Sequence, residues 1–173
     1  TGIINIGSTN GTSAIPNDYA GDTTINGIAA GAVNSTLRIC DPADNNIMPH
    51  GSTGSYAGGP TGNLVLNANN LHAVFDLNGS TQTVNGLSSS ARNPANNFVQ
   101  DNGAGNGTLI VGDNNATATF GGAIQSAISI TKIGTGTETL SRANAYTGDT
   151  VVKAGTLVAN TASSGAGKYS ISN

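Results

Sequence analysis

Short apolar clusters, separated by glycine, asparagine or serine, set the rhythm of this chain. Leu64-Val65-Leu66, Leu109-Ile110-Val111 and Val151-Val152 are typical clusters. Several segments alternate strictly, as in Ala116-Thr117-Ala118-Thr119-Phe120 and Ser129-Ile130-Thr131. Period-two alternation sends one set of side chains inward and the other outward from a strand. The pattern predicts strands over residues 3–6, 23–28, 36–39, 64–66, 73–77, 81–84, 108–111, 116–120, 127–133, 138–140, 150–153 and 156–158. Asn78-Gly79, Asn85-Gly86, Asn102-Gly103, Asn106-Gly107 and Gly112-Asp113-Asn114 punctuate them. These residues tolerate the left-handed backbone of tight corners. No stretch of three turns carries the helical spacing of apolar residues, and glycine and β-branched residues are too frequent for long helices. Residues 43–48 are the exception, with the pattern of one helical turn.

An internal repeat sharpens this picture. Residues 17–25 read NDYAGDTTI and residues 144–152 read NAYTGDTVV, 127 positions apart. With 4 Tyr in the whole chain, chance is a poor explanation, and a repeated unit of one or a few coils is a better one. Gly21 and Gly148 provide corners, and Thr23 and Thr150 open the strands that follow Asp22 and Asp149. Tyr19 and Tyr146 are expected to lay a ring over the preceding coil with the hydroxyl at the wet edge. Asn17 and Asn144 are expected to bond to backbone groups of their own turn. Stacked coils would align identical Asn or Thr side chains in ladders.

Composition allows either an ordered stack or disorder, and the pattern of apolar residues decides between them. Charged residues make up 9% of the 173 positions, against about 25% in ordinary soluble domains. The surface must therefore be kept wet by amides and hydroxyls. The clustering of Val, Ile and Leu separates the chain from uniform low-complexity sequence. One domain spanning residues 1–173 is expected, with an inserted irregular loop over residues 40–62. The six basic residues form no run, which argues against nucleic acid. No long apolar stretch or basic amphipathic helix points to insertion in a membrane. With Thr1 in place of Met, a processed or truncated start is expected. Cys40 has no cysteine partner in the chain and reads as a small buried side chain.

The segment 134–158, GTGTETLSRANAYTGDTVVKAGTLV, resembles the autotransporter-associated β-strand repeat of bacterial surface passengers, whose members read close to GTGTLTLSGANTYTGGTTVNAGTLV. Gly134, Gly136, Leu140, Ser141, Ala143, Asn144, Tyr146, Thr147, Gly148, Thr150, Ala154, Gly155, Thr156 and Leu157 stand where that family has them. Glu138, Arg142 and Asp149 depart from it, Glu138 by replacing an apolar strand residue. Residues 75–87 and 106–121 are similar to other coils of such passengers, whereas residues 40–62 do not match. The resemblance implies a right-handed parallel β-helix (β-solenoid), exposed outside the cell, without enzymatic activity or catalytic residues. It leaves open a passenger fragment or a stand-alone surface protein.

Candidate chemistry is sparse. His50 and His72 lack metal-ligand spacing, and no nucleophile elbow or phosphate loop is present. No cofactor is expected. The Ca²⁺ candidates are Asp41 and Asp44 in CDPADNN, with Asp18 and Asp22 as a second pair, and neither fits the EF-hand loop or the glycine-rich calcium-binding nonapeptide. Asn-x-Ser/Thr sites are as frequent as this composition makes them. The ends carry uncharged strands containing Ile3, Ile4 and Ile6 and, at the other end, Tyr169 and Ile171. Such edges invite strand addition between copies, and head-to-tail addition without closure gives a filament. The leading expectation is therefore a self-assembling extracellular structural protein. The alternative is an adhesin segment of a larger passenger contacting glycans through its amides or Tyr56. A carbohydrate-active enzyme is a third reading, weakened by the scarcity of acids and arginines.

Overall fold

The computed structural model of the chain describes residues 2–6, 21–27, 34–48, 62–90, 92–159 and 167–171. Among these residues the fold is all-β, with seventeen short strands numbered here in chain order. One six-stranded sheet runs β1 (Gly2–Ile6), β3 (Ser35–Ile39), β5 (Ala73–Asp76), β8 (Asn97–Gln100), β11 (Ala123–Ser126) and β14 (Ala145–Tyr146). A second sheet has β17 (Tyr169–Ile171), β15 (Thr150–Val152), β12 (Ser129–Lys132), β9 (Thr108–Val111) and β6 (Thr81–Val84) in that spatial order. The third face consists of two three-stranded sheets. These are β2 (Thr23–Gly27), β4 (Leu64–Ala68) and β7 (Leu87–Ser89), then β10 (Ala118–Phe120), β13 (Thr137–Leu140) and β16 (Thr156–Ala159).

Every ladder is parallel. From β5 to β16 the chain visits the first, second and third face in turn and then returns to the first. Each circuit is a rung stacked on the one before. The register gives the relative length of the rungs. Ala118 pairs with Glu138, Ile130 with Thr150 and Thr137 with Thr156, so the later rungs are short and nearly equal. Earlier rungs are roughly twice as long, since Ser35 pairs with Ala73 and Thr23 with Leu64.

The core lies between the faces and is fed by the alternation seen in the sequence. Leu64, Leu66 and Ala68 of β4 point inward, and so do Leu109 and Val111 of β9. Apolar columns run through successive rungs, as in Leu37, Phe75, Val99 and Ile124. Phe75 and Phe120 are fully buried. Complete burial of such a side chain contributes roughly 1.5–3 kcal/mol, and one contiguous cluster joins Ile25 to Tyr146. Cys40, expected inside, is only half-buried.

Strands β7, β8, β11 and β14 were absent from the pattern-based expectation. They are two to four residues long and rich in amides and hydroxyls, as in Asn-Phe-Val-Gln and Ala-Ile-Gln-Ser. Residues 43–48 form turns and no helix. The short helical turn, a 3₁₀ turn, lies at Pro94–Asn96, where proline sets the first helical φ. Residues 40–48 carry no strand, yet Ile47 and Met48 are buried in the core. Gln82 holds them there, its Oε1 accepting from both backbone N–H groups at 3.0 and 3.2 Å. Residues 49–61 of the expected loop lie outside the described residues, and His50 and Tyr56 with them. Amide ladders occur at Asn67 over Asn26 and Gln125 over Gln100, but most buried amides bond to backbone instead.

Candidate functional site

Asn17, Asp18 and Tyr19 of the first repeat copy lie outside the described residues. The remainder of that copy does not stack on the second. Thr23 opens β2 on the third face and Thr150 opens β15 on the second, because the rungs between them differ in length. The aspartates nonetheless make the same local contact. Asp22 Oδ1 accepts from the N–H of Asn63, the residue before β4, at 3.0 Å, and from its Nδ2 at 2.9 Å. Asp149 Oδ1 accepts from the N–H of Lys168, the residue before β17, at 2.9 Å. Each carboxylate caps the entry of the next stacked strand.

Gly21 has a left-handed φ of 136°. Gly148 does not, and its glycine has a different cause: a Cβ there would collide with the carbonyl of Ile128. Tyr146 is 3% exposed, and its hydroxyl meets Thr150 Oγ1 at 2.8 Å inside the stack. The hydroxyl is therefore buried and not at a wet edge, because β14 turns its alternate side chain toward the core. Asn144 Oδ1 accepts from Ile124 N–H in the preceding rung, and its Nδ2 donates to the Arg142 carbonyl in its own.

Asp41 Oδ1 accepts from Ala43 N–H, and the Asp41 carbonyl accepts from Asp44 N–H. Asp44 is fully buried. Among the described residues no group of three or more His, Cys, Asp or Glu side chains is placed to hold a metal ion. His72 sits edge-on to Phe98, ring centres 4.9 Å apart. At the strand ends, Ile3, Ile4, Tyr169 and Ile171 are 45%, 67%, 63% and 79% exposed, and Ile6 packs partly against the core. An opening of about 330 Å³ lies beside β1, lined by Ile3, Ile4, Ile25 and Leu37 among others.

The feature that sets one place apart is a break in the third face. β7 and β10 lie side by side without a ladder between them. Side chains replace the missing backbone partners. Asn85 Oδ1 accepts from Asn114 N–H at 3.0 Å and Ala116 N–H at 3.1 Å, and Ser89 Oγ accepts from Gly121 N–H at 2.8 Å. Leu87 N–H, the first of β7, is taken by Glu138 Oε2 at 3.2 Å. Glu138 belongs to β13, in register with Ala118, and the small Ala118 leaves its side chain room to reach β7.

Glu138 is 1% exposed, and its Oε1 is buried without a hydrogen-bond partner. Burial pushes its carboxyl up to about 8, against the opposing pull of the Leu87 N–H and of Lys132. Lys132 is also fully buried. Burial lowers its ammonium pKa, offset by Glu138. Its Nζ donates to the carbonyls of Ile133 and, at 3.0 Å, Gly134. It occupies a corner where Gly112, Gly134 and Gly155 stack with φ of 102°, 66° and 69°. A Cβ on Gly112 would approach this nitrogen to 2.8 Å. Sequence pattern singled out Glu138 as a departure from an apolar position, whereas Lys132 at the end of an alternating strand gave no such signal.

Outside the break lies a groove of about 600 Å³, with Asp22, Asn63, Val65, Ser88, Asn115 and Thr119 among its walls. Among the described residues neither lysine, arginine nor histidine lines it.

Parallel rungs stacked around a packed apolar interior define a repetitive β-scaffold. Residues 130–159 match the family model of the passenger-associated-transport-repeat, and the chain carries an autotransporter passenger repeat. Over 165 residues, 93% of the chain, it is 33% identical to the adhesin BmaC autotransporter of Brucella suis biovar 1 (strain 1330). The chain spans 4% of that protein's length. No solved structure matches it.

Proposed function

We propose that this chain is a stretch of a surface-exposed autotransporter passenger, wound as a right-handed parallel β-helix, with an adhesive role and no catalysis. The observation that carries this reading is the likeness to an adhesin autotransporter across 93% of the chain. Short, evenly stacked parallel rungs in the segment that matches the family repeat support it. Displayed ahead of an outer-membrane translocator, the chain should be labelled by antibody on intact cells and removed by added protease. It should also make coated beads adhere to host-cell or matrix surfaces. A chain that stays protease-resistant until the cells are lysed sinks the surface reading, and beads that never adhere sink the adhesive one.

A second reading is favoured by the exposed apolar strands. Among the described residues, Ile4 on β1 and Ile171 on β17 are the most exposed large hydrophobic side chains at their respective ends of the stack. A strand edge with such residues accepts another strand, from a neighbouring rung or from another copy. Self-association should appear as a rise in light scattering with concentration and fall in the double variant Ile4→Lys, Ile171→Lys. A wild-type chain that stays monomeric at high concentration refutes it.

A further inference from the structure

We infer that the groove beside the β7/β10 break is a binding site for a short, uncharged oligosaccharide. The inference rests on the passenger reading, which gives the groove its extracellular setting, and adds to it the chemical class of the ligand.

The groove is a departure from the repeat. The rungs that follow it are short and regular, with continuous ladders on the third face. Here the ladder stops, and side-chain bonds to Asn85 take its place along the 112–117 segment. Asn85, itself in the lining, fixes that segment through its bonds to Asn114 and Ala116. The wall is thus held in place before any ligand arrives, which lowers the ordering cost of binding. The lining comes from four successive rungs: Asp22 beside β2, Asn63 beside β4, Ser88 on β7, and Thr119 on β10. At the strand spacing of about 4.8 Å, three steps span about 14 Å along the stack. The volume of about 600 Å³ falls within the range of small-molecule sites.

The chemistry of the walls selects the class. Asn63, Asn115, Ser88 and Thr119 supply donors and acceptors, while Val65 with Ala118 gives an apolar patch. Sugars present the same combination, hydroxyl edges around a C–H face. Asp22 is oriented through Oδ1 by two donors of Asn63, leaving Oδ2 as an acceptor for hydroxyl groups. With no cationic side chain among the described residues of the lining, a phosphate, sulfate or carboxylate on the ligand would meet Asp22 without a counter-charge.

The test uses the whole purified chain. Saturation-transfer NMR and calorimetric titration would be run against neutral trisaccharides (maltotriose, cellotriose, mannotriose, chitotriose) and acidic ones (sialyllactose, trigalacturonic acid). At least one neutral sugar should bind and the acidic ones should not. Thr119→Arg, which fills the groove from an exposed position on β10, should weaken binding at least about tenfold. Ala143→Arg, exposed and away from the groove, should leave it unchanged, and both variants should keep the wild-type circular dichroism. Should Thr119→Arg not fold, Ser88→Gln is the replacement, with the same expected loss. Absence of neutral-sugar binding, equal binding of acidic sugars, or binding untouched by the groove variants would each overturn the inference. Failure of the passenger reading is seen separately, as loss of surface labelling on cells.

Discussion

Glu138 makes stability depend on pH in a direction opposite to that of most carboxylates. Its folded value is about 8, raised by burial from the ordinary 4.5. A raised folded value means that the native state holds a proton which the unfolded chain releases above about pH 4.5. The stabilising effect of the neutral acid is complete below that value. It is lost progressively as pH rises through 4.5 toward 8. At about 1.4 kcal/mol per pH unit, the span corresponds to at most roughly 5 kcal/mol, and relaxation around the charged group reduces it. In Glu138→Gln the amide keeps an oxygen for Leu87 N–H and cannot ionise. Lys132 is present in both chains, so the difference between them reports the carboxyl. Urea unfolding at pH 5 should place the two chains within about 1 kcal/mol of each other. At pH 8.5 the variant should be the more stable by about 2–5 kcal/mol. Parallel stability profiles from pH 5 to 8.5 would refute the argument. They would mean that the carboxyl is hydrated or paired well enough to ionise normally.

Two further substitutions test the joints between rungs. Asp76 is fully buried and accepts from Asn78 N–H, from Asn102 N–H and Nδ2, and from the Arg38 guanidinium, whose Nε and Nη2 both lie 2.8 Å from Oδ2. Asp76→Ala leaves these donors unpaired and should cost about 3–5 kcal/mol in urea unfolding at pH 7, with a loss below about 1 kcal/mol counting against the role assigned to it. Gly148→Ala should lower stability by about 1–3 kcal/mol, because its methyl meets the Ile128 carbonyl of the preceding rung. An unchanged melting temperature would show that the rungs separate easily at that corner.

The alternating segments made the inward face legible before any coordinates. Leu64, Leu66, Leu109, Val111, Ile130 and Leu140 all point where period two puts them. What pattern reading lost were β7, β8, β11 and β14, whose strand character comes from stacking on a neighbour and not from their own side chains. The recurrence of the Asn-x-Tyr-x-Gly-Asp-Thr motif pointed to a repeated unit of one or a few coils, without fixing the face on which each copy falls. An offset in sequence equals a whole number of circuits only if every rung has the same length. Insertions in the early rungs removed that condition. The groove was illegible for a related reason. It is formed by residues from four rungs, between Asp22 and Thr119, that no local spacing brings together.

The irregular rungs also explain a composition that surface wetting alone does not. Wherever a rung lengthens or a ladder stops, backbone donors lose their partners, and a buried N–H without one is costly. In this chain a buried amide or carboxylate stands at such joints: Gln82 under residues 47 and 48, Asn97 under Ala68 N–H, Asp101 under the N–H groups of Gly79, Gly103 and Gly107, and Asn85 and Glu138 at the break. Amides do this without carrying a charge into the interior. Aspartate does it where several donors converge, as at Asp76 and Asp101. Glu138 has one N–H and a distant ammonium to balance its charge, and it responds by keeping its proton. Asparagine and glutamine are therefore the residues that let the short late rungs and the long early ones share one stack, and replacing them should cost most where the register is least regular.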